Sequence, residues 1–326
     1  MEEDAICEET HLREIDRLEV TILVDNYADS LLMQNTEVVK RALVPPPNWP
    51  LAEHGFSCLL KVSAGSEEHA VLMDAGVTPI SLPHNAKIQN KNLSEAESFI
   101  LSHGHFDHFG GLMDFLNRAG KQMPLILHND AFLERRLNIP GVGASLLPSL
   151  NEAKLKEMGA VIKKINKPST IASDTILVSG EVERATSFER GFPMAEAKIN
   201  GKWVPDPFKD DLGIAVNVKD NGLVVISGCA HAGIVNTVTH IQKVTGTNKV
   251  NAIMGGFHLT GPMFDPIIEP TITELKKINP NMVIPMHCTG WKAIIVLNAT
   301  FLIYYRYIMR HGKKARKGDH TTYNSG

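Results

Sequence analysis

The chain has 326 residues, 43% of them hydrophobic, with a formal net charge of -3. That length supports one large domain or two ordinary ones, and the balanced charge gives no electrostatic reason to expect nucleic acid or an anionic membrane as partner. The four cysteines (Cys7, Cys58, Cys229 and Cys288) are far apart and form no CxxC pair, which argues against a disulfide framework and for a reducing compartment.

The first twenty residues are acidic and lack an apolar core. They are expected to be neither a secretory signal nor a transit peptide, which implies a cytoplasmic protein. "LEVTILVDNY" (18–27) reads as a buried strand, and 56–65 with 69–76 as a hairpin. "SFILSH" (98–103) is an apolar run without alternation, the pattern of a strand covered on both faces. Leu112, Phe115, Leu116 and Ala119 then fall at helical spacing, closed by Gly120. A strand at 124–128 and a helix over 149–159 follow. "LGIAVNVKDNGLVVISGC" (212–229) reads as two strands around a tight Asn-Gly turn. Helices over 232–246 and 267–278 then separate strands at 250–256 and 282–285. Strands that repeatedly precede helices, with hairpins mixed in, predict an α/β layered fold with mixed sheets. The stretch 187–211 has little periodicity but carries Phe and Trp, and is expected to be a lid over a site. The apolar segment 293–309 is short for a membrane span and is interrupted by Asn298 and Arg306, so no membrane partner is expected.

The chemistry concentrates in "ILSHGHFDHFGGL" (100–112). An extended segment points alternate side chains the same way, so His103 and His105 project together from the strand's end. Asp107 and His108 follow where the chain turns into a helix. Three imidazoles and a carboxylate converging there suit Zn²⁺, Fe²⁺ or Mn²⁺. Further donors stand at other strand ends: Asp74, Cys229, His231, His258 and His287. Ligands collect at the carboxyl ends of strands in open α/β sheets, so these form a constellation around one site. His128 also ends a strand and is a weaker candidate. His11, His54, His69, His84, His240, His311 and His320 lie in helices, loops or the tail and read as solvated or packed side chains.

The pattern His103-x-His105-x-Asp107-His108, after a strand and before a helix, resembles the signature of the metallo-β-lactamase superfamily. "DNYADS", "SGCAHAGI", "GGFHL" and "PMHCTGWKA" resemble the branch named for the archaeal dihydropterin–ribofuranosylaminobenzene phosphate synthase, over about Val20 to Ala293. The resemblance implies a four-layer αββα sandwich with mixed sheets and two divalent metal ions, zinc ahead of iron or manganese. It implies residues 1–17 as an N-terminal extension, 18–292 as the metallo-β-lactamase-like domain and 293–326 as an atypical tail. His103, His105 and His231 would hold one ion, and Asp107, His108 and His287 the other. Asp107 and Asp74 are the carboxylates expected to serve catalysis, Asp74 by orienting a ligand. His258 is expected to ligate or to touch substrate, with Cys229 and Trp291 also at the substrate. Trp203 and Phe208 are further candidates for stacking a flat ring.

Two departures stand out. The superfamily pattern has a histidine before the second hairpin and an aspartate after it, whereas here Asp210 and Asp211 precede the hairpin and Cys229 with His231 follow it; His231 is the expected ligand, with Cys229, Asp210 and Asp211 as weaker ligand candidates. The end of the chain is basic and does not read as the last strand of the branch; an altered end is the expectation there. The implied function is hydrolysis of a small-molecule ester, lactone, thioester or phosphodiester by metal-activated water. The alternatives are transfer, condensing a pterin methyl diphosphate with an aminobenzene ribofuranosyl phosphate, and a non-catalytic metal-containing binder.

Overall fold

The computed structural model describes residues 9–301 and, as backbone, 309–310. Two large sheets face each other. The first has the strand order Met309–Arg310, Arg17–Val24, Ser57–Ala64, Glu67–Met73, Ser98–Ile100, Met123–Leu127, Ala160–Lys164. Its pairings are antiparallel as far as Glu67–Met73 and parallel from there on. The second runs Ser169–Ile171, Ile176–Val178, Gly213–Val218, Gly222–Ser227, Val250–Gly256, Met282–Met286. It repeats the plan: antiparallel through the Gly213–Ser227 hairpin, then parallel. Parallel neighbours need a crossover, and helices supply it.

Side-chain alternation builds the layers. Leu60, Val71, Met73 and Ile100 of the first sheet pack against Ile214, Val224, Ile226 and Ile284 of the second in one buried cluster. Their strand neighbours Leu59, Leu72, Phe99 and Leu101 point the other way. There they meet Leu82, Phe115, Leu116 and Leu155 from the helices Ser81–Ile88, Leu112–Ala119 and Glu152–Glu157. On the far side, Val225, Ile253 and Val283 meet Val238, Ile272, Leu275 and Leu297. These last belong to the helices Ile234–Thr245, Asp265–Ile278 and Trp291–Thr300. Period-two strands buried on both faces between amphipathic helices give a helix–sheet–sheet–helix sandwich. No described helix is long and apolar enough to cross a membrane.

Three regions depart from the simplest sequence reading. Glu14–Ile15, within the expected extension, adds in parallel to Gly213–Val218 with Ile15 fully buried. The helix Trp291–Thr300 starts at the expected tail's edge and buries Ala293, Ile294 and Leu297. Beyond Phe301 the tail, apart from the backbone of 309–310, lies outside the described residues. The third region is the expected lid. It holds a hairpin, Ala195–Ile199 with Lys202–Pro205, in a small third sheet with Arg135–Ile139 and Gly143–Leu146. The turn between its strands is Asn200-Gly201, both with positive φ (50° and 77°), a hairpin signal present in the sequence. Trp203 belongs to that hairpin and stacks on Arg136, 4.4 Å from the ring centroid; it is not a wall of the site described below.

Candidate metal centre

The carboxyl ends of both parallel strand sets meet at one edge of the sandwich. The turn after Ser98–Ile100 carries His103, His105, Asp107 and His108. The turns after Gly222–Ser227, Val250–Gly256 and Met282–Met286 carry Cys229 with His231, His258, and His287. Five non-glycine residues at this edge have left-handed backbones: Asp74, Phe208, Ala230, His258 and His287, with φ between 47° and 57°. Such backbone is held only where the surroundings over-determine it, and it clusters at functional sites. Glycine serves close approach at two points. A Cβ on Gly104 would sit 2.2 Å from the Ala131 carbonyl oxygen, and one on Gly228 would sit 2.2 Å from Ser102 Oγ.

The donors form two main groups. His103, His105 and His231 offer ligand atoms within 4.8 Å of one another, as do Asp107, His108, Cys229 and His287. A third grouping, Cys229, His231 and His258, shares members with both. The hydrogen bonds behind them fix how each ring points. Asp74 can only accept, so His108 Nδ1–H donates to its Oδ2 at 2.6 Å. Ser102 Oγ also donates to Oδ2 (2.7 Å), which leaves that hydroxyl oxygen to accept from His103 Nδ1–H at 3.0 Å. His287 Nδ1–H donates to Asn26 Oδ1 at 2.9 Å. All three rings therefore present Nε2, the arrangement that partners behind metal-binding histidines produce. His103 Nε2, His105 Nε2 and both ring nitrogens of His231 are buried with no hydrogen-bond partner. Orphaned buried nitrogens are costly unless something fills them. Converging imidazole, carboxylate and thiol donors fit divalent transition-metal ions.

The two groups differ electrically. Burial, reinforced by Arg135, pushes His105 down to about 3. Burial and neighbouring imidazoles likewise lower His103 and His231 well below the ordinary histidine value. In the other group burial works against charge on His108, but Asp74 and Asp107 outweigh it and raise His108 to about 9. Burial tends to raise Asp107, yet His108 and His287 hold it well below the usual carboxylate range. Burial pushes the Cys229 thiol up.

Asp210 and Asp211, weaker ligand candidates in the sequence, stand outside the donor groups and support backbone instead. Asp210 Oδ2 accepts from Gly104 N–H (2.8 Å) and Oδ1 pairs with Arg135 (2.7 Å), which also pairs with Asp206 (2.7 Å). This clamps the turn between His103 and His105. Asp211 accepts from Ala232 N–H at 2.8 Å, and burial raises it to about 6. Glu189 accepts from Val235 and Asn236 N–H at the start of the helix after His231. His128 Nδ1 accepts from Asp130 N–H and caps a short turn, outside both groups.

Both groups open on a cavity of about 340 Å³. Leu137, Phe192, Met194, Met263 and Phe264 form its apolar walls, and Asp107, Cys229, His231 and His258 line it from the donor side. No lysine or arginine is among the described residues that line it. Phe208 stacks on the His231 ring, centroids 4.3 Å apart. Trp291 is 55% exposed, packs edge-on against Tyr27 and does not line the cavity. The sequence reading missed His54. Asn26 Nδ2–H donates to His54 Nδ1 (3.1 Å), so its proton-bearing Nε2 faces Asp107 Oδ2 at 3.6 Å on the cavity wall. No periodicity or strand end marks it; it sits in a long loop whose path only the fold reveals.

The family model of the metallo-beta-lactamase superfamily matches residues 59–189. The 7,8-dihydropterin-6-methyl-4-(beta-D-ribofuranosyl)-aminobenzene-5'-phosphate synthase of Methanocaldococcus jannaschii is 34% identical over 256 residues, 76% of this chain and 84% of that protein. The chain belongs to the metallo-beta-lactamase superfamily. An uncharacterised protein of the same archaeon, MJ0448, is 33% identical over 252 residues, 76% of this chain and 88% of that protein. Among solved structures, Tm1679, a metal-dependent hydrolase of the superfamily, superposes with a TM-score of 0.70 at 23% identity. That superposition covers 89% of this chain and 96% of the other, so the sandwich is shared along nearly its whole length.

Proposed function

We propose that this superfamily member is a dinuclear metal-dependent hydrolase of a small molecule carrying an ester, lactone, thioester or phosphodiester. The observation that carries the reading is two adjacent donor groups, with orphaned imidazole nitrogens, opening on one apolar cavity. His103, His105 and His231 would hold one ion, and Asp107, His108 and His287 the other. Divalent ions so held would supply Lewis acidity, making water a better nucleophile and polarising a carbonyl or phosphoryl oxygen. The chain's own residues set the stage. Asp74 and Asn26 hold the His108 and His287 rings in one tautomer. Phe192, Met194, Met263 and Phe264 exclude water and take the apolar part of the substrate, leaving its single polar group for the donor side. His258 and His54 stand on the cavity wall where they can touch a substrate oxygen.

A second reading is transfer: condensation of a pterin methyl diphosphate with an aminobenzene ribofuranosyl phosphate. The synthase relative favours it, as do the aromatic walls, on which a flat ring can stack. The lack of lysine or arginine among the described residues that line the cavity favours hydrolysis of a less anionic substrate.

The test is a screen of phosphodiesters, lactones and thioesters beside the pterin and aminobenzene pair, with metal-loaded wild type and His105→Ala. Turnover of one hydrolytic class, lost in the variant, is the expected result. Pyrophosphate release from the pair, with no hydrolysis, establishes transfer instead. Bound metal with neither reaction establishes a binder.

A further inference from the structure

Cys229 is the donor with the most unusual position. Its sulfur lies within 4.8 Å of ligand atoms of Asp107, His108 and His287, and also of His231 and His258. It therefore adjoins every member of one donor group and His231 of the other. His108 Nε2 lies 3.1 Å from it, and the Cys288 thiol donates to the Cys229 carbonyl oxygen at 3.7 Å. The side chain is buried, yet it lines the donor side of the cavity. A thiol kept only for packing would sit among apolar side chains, as Cys58 does in the inter-sheet core. Cys229 instead faces imidazoles and a carboxylate. The residue between it and His231, Ala230, has a left-handed backbone (φ 54°), so the chain bears strain at the point where these two donors are presented.

We propose that Cys229, as thiolate, is a metal ligand shared between the two donor groups, and that it makes the centre selective for thiophilic ions. Sulfur ligands select zinc, iron or cobalt, whereas manganese and magnesium prefer oxygen. The proposal rests on the reading of the two groups as a metal centre, and metal binding by itself tests that reading separately.

The experiment is titration of the metal-free full chain with Co²⁺. Bound cobalt is measured by elemental analysis, and the thiolate-to-cobalt charge-transfer absorption is recorded on the same samples. Wild type is compared with Cys229→Ser, Cys229→Asp and Cys288→Ser. The expected result is a charge-transfer band in wild type that persists in Cys288→Ser and is lost in Cys229→Ser. Cys229→Asp, which keeps an anionic donor, is expected to bind as much cobalt as wild type without the band. Cobalt bound to wild type without the band overturns the proposal and leaves the metal centre standing. So does a band that survives Cys229→Asp or is lost in Cys288→Ser. No cobalt bound at all overturns both. A Cys7→Ser/Cys58→Ala/Cys288→Ser variant, whose one thiol is Cys229, decides the matter even if the position-229 variants do not fold: the band persists if the proposal holds and its loss with cobalt still bound overturns it.

Discussion

The two donor groups differ in how the chain prepares them. His103, His105 and His231 are neutral imidazoles with bare nitrogens, held by burial and by the Arg135–Asp210 clamp on the Gly104 turn. Asp107 and His108 form a charged pair beside His287, with His108 raised to about 9 between two carboxylates. A cation entering the first group fills vacant lone pairs. A cation entering the second must displace a proton from His108. The first group is thus prepared by exclusion of charge and the second by internal ion pairing, and each invites a different way to break it.

The largest effect on the first group is expected from Arg135→Ala. It leaves Asp206 and Asp210 buried and unpaired and frees the Gly104 turn. Removing one partner of a buried ion pair costs about 3–5 kcal/mol, so denaturant unfolding of the variant should show a loss of that size. A loss under about 1 kcal/mol means the clamp is slack.

The matching probe of the second group is Asp74→Asn, which weakens the acceptor behind His108. Loss of such an outer partner lowers metal affinity by about 10–100-fold, and competition with a chelator reads it. The deficit should fall on the ion held with His108 and spare the other.

Acid separates the groups in the metal-free protein. His103, His105 and His231 are neutral when folded and take up protons near pH 6.5 when unfolded. Stability is therefore lost as pH falls below about 6.5, by up to about 1.4 kcal/mol per pH unit for each ring. His108 has the opposite sign. Its raised value contributes stability that is fully present below about 6.5 and is lost as pH rises through about 9. Thermal melts of stripped protein should peak near neutrality. A curve that keeps rising toward acid contradicts the assignment of neutral rings.

The smallest effect belongs to Trp291→Ala. The side chain is half exposed, touches Tyr27 and lies off the cavity. Stability should change by about 0.5–1.5 kcal/mol, the worth of one aromatic pair, with metal content and KM unaltered. A large rise in KM returns Trp291 to the substrate.

How much of this was legible in the sequence follows the same division. The strand-end motif at 103–108 announced itself because its donors are contiguous and period two sets their direction. His231, His258 and His287 were found through their position after apolar runs. Asp74 was placed behind the ligands by resemblance, and the His108 hydrogen bond gives that placement a physical form. The layered sandwich was readable because its strands are uninterrupted apolar runs and its helices keep their period. What sequence did not yield lies in long-range pairing. His54, Glu189 and the Arg135–Asp210 pair depend on contacts 31 to 106 residues apart or on loop paths, as Gly104 with Arg135 and with Asp210 illustrates. The 195–205 hairpin was legible in its Asn-Gly turn but was masked by short strands with weak alternation.

The central claim is that two cations are held by residues brought together from both sheets. The most direct measurement is elemental analysis of the purified, metal-repleted protein beside His105→Ala and His287→Ala. About two equivalents in wild type and about one in each variant is the predicted result. Metal-free wild type, or variants that both keep the full complement, would contradict it.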